Sequence, residues 1–154
     1  MLKRIGIIVL VAVGLTAAGC GGGSGPGSGN INGTWSATLS NMDGSTAYSF
    51  TSTFTQGSGN SVSFTNFTFS SAGPCFASEE TTETGSFGLA GNFNGAVSGT
   101  FAMTISTMFP SAMNNVLTLQ GTVNGNTISG TWILAGGTGC NGNGTFVIHT
   151  QPRG

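Results

Sequence analysis

The chain has 154 residues, of which only 5% are charged and 28 are glycine. With a formal net charge of −1 and no basic run, it lacks the phosphate-neutralising surface that nucleic-acid binding needs. Eleven phenylalanines and two tryptophans exclude a disordered chain, which would lack such apolar material. The composition instead fits an all-β domain whose outer faces are solvated by hydroxyls and amides.

Met1 to Arg4 forms a short positive start, and Ile5 to Ala18 is uncharged and mostly apolar. As a helix, that apolar run would reach only ~21 Å, short of the ~30 Å hydrocarbon core of a membrane. It suits the apolar region of a cleaved signal peptide. The run ends in Ala17-Ala18-Gly19-Cys20, followed by GGGSGPGSGN. This resembles the lipobox of bacterial lipoproteins, with Ala17 where a larger aliphatic residue is usual. The resemblance implies cleavage before Cys20, lipid (palmitate among the acyl groups) on that cysteine, and attachment to a membrane. Gly21 in place of Asp implies the outer membrane. The expected organisation is a signal peptide over 1–19, a lipidated cysteine with a flexible Gly/Ser linker over 20–30, and a β domain over 31–154. Loss of the leader removes Lys3 and Arg4, leaving Arg153 against Asp43, Glu79, Glu80 and Glu83, a net charge of −3.

From Asn30 onward, apolar and polar residues alternate with period two between Gly/Asn/Ser turns, the signature of strands whose side chains point to opposite faces. The pattern predicts strands near 33–40, 46–56, 60–70, 80–90, 96–106, 115–123, 127–134 and 143–150. In the first, Trp35, Ala37 and Leu39 share a face. In the second and third, Tyr48, Phe50 and Phe54 face the same core as Val62 and Phe64. Phe67 and Phe69 have the opposite parity, which predicts a bulge near Asn66. A three-residue loop around Asn94-Gly95 would match Phe93 with Val97 and Leu89 with Phe101. Ser106 to Asn115 is the one stretch with the character of a helical turn. Asn124-Gly125 predicts a two-residue hairpin turn, pairing Gly121 with Ile128, Leu119 with Gly130 and Leu117 with Trp132.

A Gly-Thr-aromatic or Gly-Thr-Val motif recurs at Gly33, Gly99, Gly121, Gly130 and Gly144, and glycine inside strands marks places where backbones bend or crowd. Eight short antiparallel strands close most economically as an up-and-down barrel, which removes exposed edges; a two-sheet β-sandwich is the alternative. A membrane-spanning barrel is disfavoured, because the second face of the strands is Thr, Ser and Asn. Gly33-Thr34-Trp35 resembles the Gly-x-Trp opening of lipocalin and avidin barrels, and Ile128 to Gly137 is similar to a late avidin-type strand. Both resemblances imply barrel architecture. With only Trp35 and Trp132 present, the tryptophan-rich biotin pocket is not implied.

Cys75 and Cys140 remain once Cys20 is acylated. Export to an oxidising compartment makes a disulfide the expected state, with a free thiol or a metal pair as alternatives. His149 is the sole histidine and Asp43 the sole aspartate, and no nucleophile elbow accompanies them, so catalysis is not expected. Glu79, Glu80 and Glu83 could serve as paired carboxylates or a Ca²⁺ site; a solvated loop or strand edge is the expected reading. No cofactor or metal is expected. Two functions from different classes follow. One is a membrane-anchored, non-catalytic structural or interaction module of the cell envelope, meeting a protein or glycan. The other is a tethered lipocalin-like carrier enclosing a small apolar ligand, with Trp35, Phe50, Phe101 and Trp132 as its wall.

Overall fold

The computed structural model of the protein describes residues 29–77, 79–93, 96–108 and 114–152. The leader, Cys20 and most of the linker lie outside the described residues. Eight strands run in chain order: β1 (Gly33–Asn41), β2 (Thr46–Gln56), β3 (Ser61–Ser71), β4 (Thr81–Phe93), β5 (Ala96–Thr107), β6 (Val116–Asn124), β7 (Thr127–Ala135) and β8 (Gly142–Thr150). Each pairs antiparallel with its chain neighbour, and β8 returns to β1 to close an up-and-down barrel. The strand positions match the alternation in the sequence, and the two-sheet sandwich is not formed.

Period-two alternation decides what faces in. Trp35, Ala37 and Leu39 of β1 are buried, as are Phe50 and Phe54 of β2, Leu117 and Leu119 of β6, and Phe146 and Ile148 of β8. The opposite face is polar. One row of neighbours across five strands reads Thr100, Thr122, Ser129, Val147 and Thr38, all exposed.

Rings fill the lumen. Phe54 on β2 stacks on Phe101 on β5 at 5.8 Å between centroids, a contact that crosses the barrel. Phe54 also stacks on Trp35 at 5.6 Å and meets Phe64 edge-on at 4.9 Å. Nearer the other end, Tyr48 on β2 reaches across to Trp132 on β7 at 5.7 Å. The recurring glycines make room for these rings. A Cβ on Gly99 would lie 2.6 Å from the Phe87 ring, one on Gly121 2.8 Å from the Phe146 ring, and one on Gly144 2.8 Å from the Trp132 indole nitrogen. At Gly99, Gly121 and Gly144 the Gly-Thr motif thus places a bare backbone beside a large ring, with the threonine that follows on the outer face.

Three local features differ from the sequence expectation, and one matches it. The β6–β7 turn falls on Gly125-Asn126, so Gly121 pairs with Gly130, Leu119 with Trp132 and Leu117 with Leu134. This is two residues away from the expected register, a shift that keeps every apolar side chain on its face. Gly125 takes φ 59° at the first central position, the place for glycine in a type II′ turn, so Asn124 is left free to end the ladder. Between β4 and β5, Phe93 pairs with Ala96, and a register shift between Leu89 and Gly91 then places Phe87 opposite Phe101. Leu89 is consequently paired with Gly99 and half exposed, rather than matched to Phe101. The helical turn forms at α1 (Gly73–Phe76), where Pro74 sits in the first turn and suits a helix start. Of the Ser106–Asn115 stretch, Ser106 and Thr107 end β5, and 109–113 lie outside the described residues. The expected bulge at Asn66 is present: Asn66 has φ 52°, and the β2–β3 register shifts between Thr51 and Thr53.

Both ends of the barrel are covered. At one, the Trp35 indole donates a 2.9 Å hydrogen bond to the carbonyl of Ile31, which is itself fully buried. At the other, α1 lays Phe76 over the lumen against Phe69 at 5.2 Å and Tyr48 at 5.7 Å. The Cys75–Cys140 disulfide ties this plug to the β7–β8 loop across 65 residues of sequence. Buried Asn115 reinforces the tie, its amide donating to the Cys75 carbonyl at 2.8 Å and its side-chain oxygen accepting from the Gly137 N–H at 3.3 Å.

Candidate functional site

The four nominated wall residues all reach the lumen. Trp35, Phe50, Phe101 and Trp132 are each at most 2% exposed. Trp35 and Phe101 belong to the Phe54 stack, and Phe50 packs on Phe67 at 5.0 Å and Phe69 at 6.2 Å. Trp132 spends its one donor on the Ser40 carbonyl at 2.9 Å. Each wall residue therefore contacts another part of the barrel.

The wall itself is uneven. Seven of the eight strand junctions run as ladders of seven to twelve paired positions. The β3–β4 junction has two, Ser61 with Ser86 and Val62 with Gly85. The cause is the connection between these strands: instead of a tight turn, the chain leaves Ser71, winds α1 over the barrel end and returns at Thr81. The two strands are drawn apart along the half of the junction nearest the plug. Among the described residues, 63–71 of β3 have a strand partner only in β2, and 81–84 of β4 only in β5.

A cleft of about 520 Å³ opens along this seam. Phe64, Asn66 and Phe67 line its β3 side, and Glu79, Glu80 and Glu83 its β4 side. Phe64 and Phe67 pack on the core but remain partly exposed through the gap. Glu79 and Glu80 are exposed, just before β4, as a solvated strand edge would have them. Glu83 differs. It pairs with buried Ile105 and so shares the lumen-facing side of the sheet, and its Oε1 is enclosed without a hydrogen-bond partner. A carboxylate oxygen held out of water without a donor is unfavourable unless a partner supplies one. The clustering of three of the four acidic residues pointed to this region. The opening itself was hidden, because strand alternation carries no information on which neighbours pair along their whole length.

The other polar candidates do not converge. His149 lies on the outer face of β8, its Nδ1 3.2 Å from the Thr127 hydroxyl, and pairs with Ser36 near the start of β1. Asp43 lies beyond the far end of β1, where its carboxylate accepts from the Ser45 hydroxyl at 2.6 Å and the Ser45 N–H at 2.9 Å. The Ser45 hydroxyl, then its backbone N–H, hold the Asp43 carboxyl below its ordinary pKa. Five residues of strand, from Ser36 to Asn41, separate the two ends, roughly 17 Å at the usual rise. Among the described residues no three His, Cys, Asp or Glu side chains gather as metal ligands, and Cys75 and Cys140 are joined to each other. A second groove of about 590 Å³ lies between Met42 and Ile133 on the outside of β7 and β8. Among the described residues no helix is long and apolar enough to cross a membrane.

Neither a family model, nor a curated protein, nor a solved structure matches the chain.

Proposed function

We propose that this protein is a lipid-anchored lipoprotein of the cell envelope, held through Cys20 at the outer membrane, whose barrel is a non-catalytic structural or interaction module. The observation that carries the reading is the Trp35–Phe54–Phe101 stack, which spans the lumen from β1 and β2 to β5. A carrier of the lipocalin-like kind needs that space for its ligand, whereas here it is taken up by the barrel's own side chains. The kinship with lipocalin-like barrels is then one of architecture: a closed eight-stranded meander with Trp35 sealing one end. The polar, nearly uncharged outer face suits a domain that stands off a membrane on a Gly/Ser tether and meets other envelope components.

The test is mass spectrometry of the full chain expressed in a bacterial host and extracted in a neutral detergent. The expected N-terminal peptide begins at an acylated Cys20, and the native protein carries no further adduct. A small apolar molecule released on denaturation would overturn the packed-module reading in favour of a carrier. An N-terminus lacking acyl mass would remove the anchor.

A further inference from the structure

We infer that the open β3–β4 seam is a docking groove for an extended, basic peptide segment of a partner protein, which adds as a strand along Thr81–Thr84 and places its cationic side chains on Glu79, Glu80 and Glu83. The inference rests on the interaction-module reading and names the partner chemistry for it.

Three independent observations converge on this groove. The first is the ladder: β4 at 81–84 and β3 at 63–71 each lack a strand neighbour on the side facing the cleft. An unpaired strand edge is a template for one more strand, and main-chain hydrogen bonds to such an edge give affinity without demanding a particular sequence. The second is charge. Three of the chain's four carboxylates line this cleft, and between residues 29 and 152 there is no lysine or arginine to neutralise them. The third is the enclosed, unpartnered Oε1 of Glu83, which a lysine ammonium or arginine N–H would satisfy. Phe64 and Phe67, partly exposed on the opposite wall, give the aliphatic stems of those cationic side chains an apolar surface.

Charge also chooses between occupants. A second copy of this chain would bring its own three glutamates against these and no basic residue from the described barrel. An acidic strand would add to the negative charge, and a neutral one would leave it uncompensated. A basic strand answers both, and opposite charge across the groove speeds encounter and fixes register.

The experiment uses the full mature lipoprotein in a neutral detergent, titrated into a fluorescent hexapeptide of alternating lysine and valine, with anisotropy as the readout. Two control peptides separate the contributions: alternating glutamate and valine reverses the charge, and the lysine–valine peptide N-methylated at every residue keeps the charge but removes main-chain donors. The expected result is saturable binding of the lysine–valine peptide, with amide-exchange protection along Thr81–Thr84, and at least about tenfold weaker binding of both controls. Glu83→Gln should weaken binding about tenfold, and the triple Glu79→Gln, Glu80→Gln, Glu83→Gln further still, with far-UV circular dichroism unchanged. Equal binding of the N-methylated peptide would overturn strand addition, and binding indifferent to the glutamine variants would overturn the site. No binding of any peptide by a protein whose native mass is bare would sink this inference alone. A lumen adduct in that mass would instead sink the reading beneath it.

Discussion

Replacing Phe54 by alanine is expected to lower the unfolding free energy by about 4 kcal/mol, within the ~3–5 kcal/mol range for fully buried Phe→Ala changes. The upper half of that range is expected because Phe54 is completely buried and its ring meets Trp35, Phe64 and Phe101 on three sides. Those neighbours sit on β1, β3 and β5, and ladders on both sides of β2 hold it in place, so the barrel cannot collapse into the space left behind. For a domain of roughly 120 residues, an unfolding entropy of about 2 cal/mol/K per residue converts 4 kcal/mol to a Tm drop of about 16 °C. Urea unfolding followed by tryptophan fluorescence measures the change directly. With a slope near 2 kcal/mol/M the midpoint should fall by about 2 M. A loss below about 1.5 kcal/mol at unchanged slope would refute the reasoning. It would mean that the Phe54 ring faces space rather than rings in the folded protein, and a hollow, ligand-holding barrel would be the better account.

The remaining predictions probe other parts of the structure. Joint Cys75→Ala and Cys140→Ala substitution should destabilise the barrel by about 4 kcal/mol in urea, because the bridge closes a loop with a sequence separation of 65; a change under about 1 kcal/mol would show that the unfolded chain gains little freedom from losing it. Gly121→Ala drives a Cβ into the Ser129 carbonyl oxygen and should destabilise by about 1–3 kcal/mol, whereas Gly91→Ala meets only the Ser98 hydroxyl at 3.9 Å and should change thermal stability by under about 0.5 kcal/mol. Tyr48 is the only tyrosine, so phenolate absorbance reports it alone. Burial raises its pKa, so its stabilising effect is present below the ordinary tyrosine value and is lost as pH rises beyond it; a titration midpoint at or below 10.0 would contradict that burial. For Asp43 the sign is opposite. Its depressed pKa makes its contribution present above the ordinary carboxylate value and lost as pH falls through the lowered one, and Ser45→Ala should return the Asp43 titration, read by NMR, toward normal.

How much of this was legible in the sequence follows from what side-chain alternation encodes. It fixes which face of a strand is apolar, so the eight strands, the inward set from Trp35 to Ile148 and the bulge at Asn66 could all be read from it. It fixes register only modulo two. A shift of two residues at Gly125-Asn126 leaves every apolar residue inward, and the choice between the two hairpins falls to turn geometry alone. At Leu89 the bulge adds a residue, and the alternation carries no mark of it because Phe87 and Leu89 are both apolar. The disulfide was legible through the expectation of export drawn from residues 1–20 and the count of cysteines. Its place as the rivet of a plug was not, since α1 is four residues long and owes its position to Phe76, Asn115 and Cys140.

That plug explains how a barrel can keep an incomplete junction. A closed sheet ordinarily gains from pairing every edge, and leaving β3 and β4 apart forgoes main-chain hydrogen bonds along half a strand. The chain spends those residues on α1, which brings Phe76 onto Phe69 and Tyr48 and covers an end of the lumen that a tight β3–β4 turn would leave open to water. Burying Phe76 and anchoring it through Cys140 offsets the lost ladder, and the cross-lumen rings hold the wall from inside. The opening is therefore a consequence of how the end is sealed, and the three glutamates stand where the returning strand enters it. Fold stability is carried by the seven complete ladders, the rings and the disulfide-tied plug, which leaves the exposed Glu79 and Glu80 at the seam free to change without unfolding the barrel.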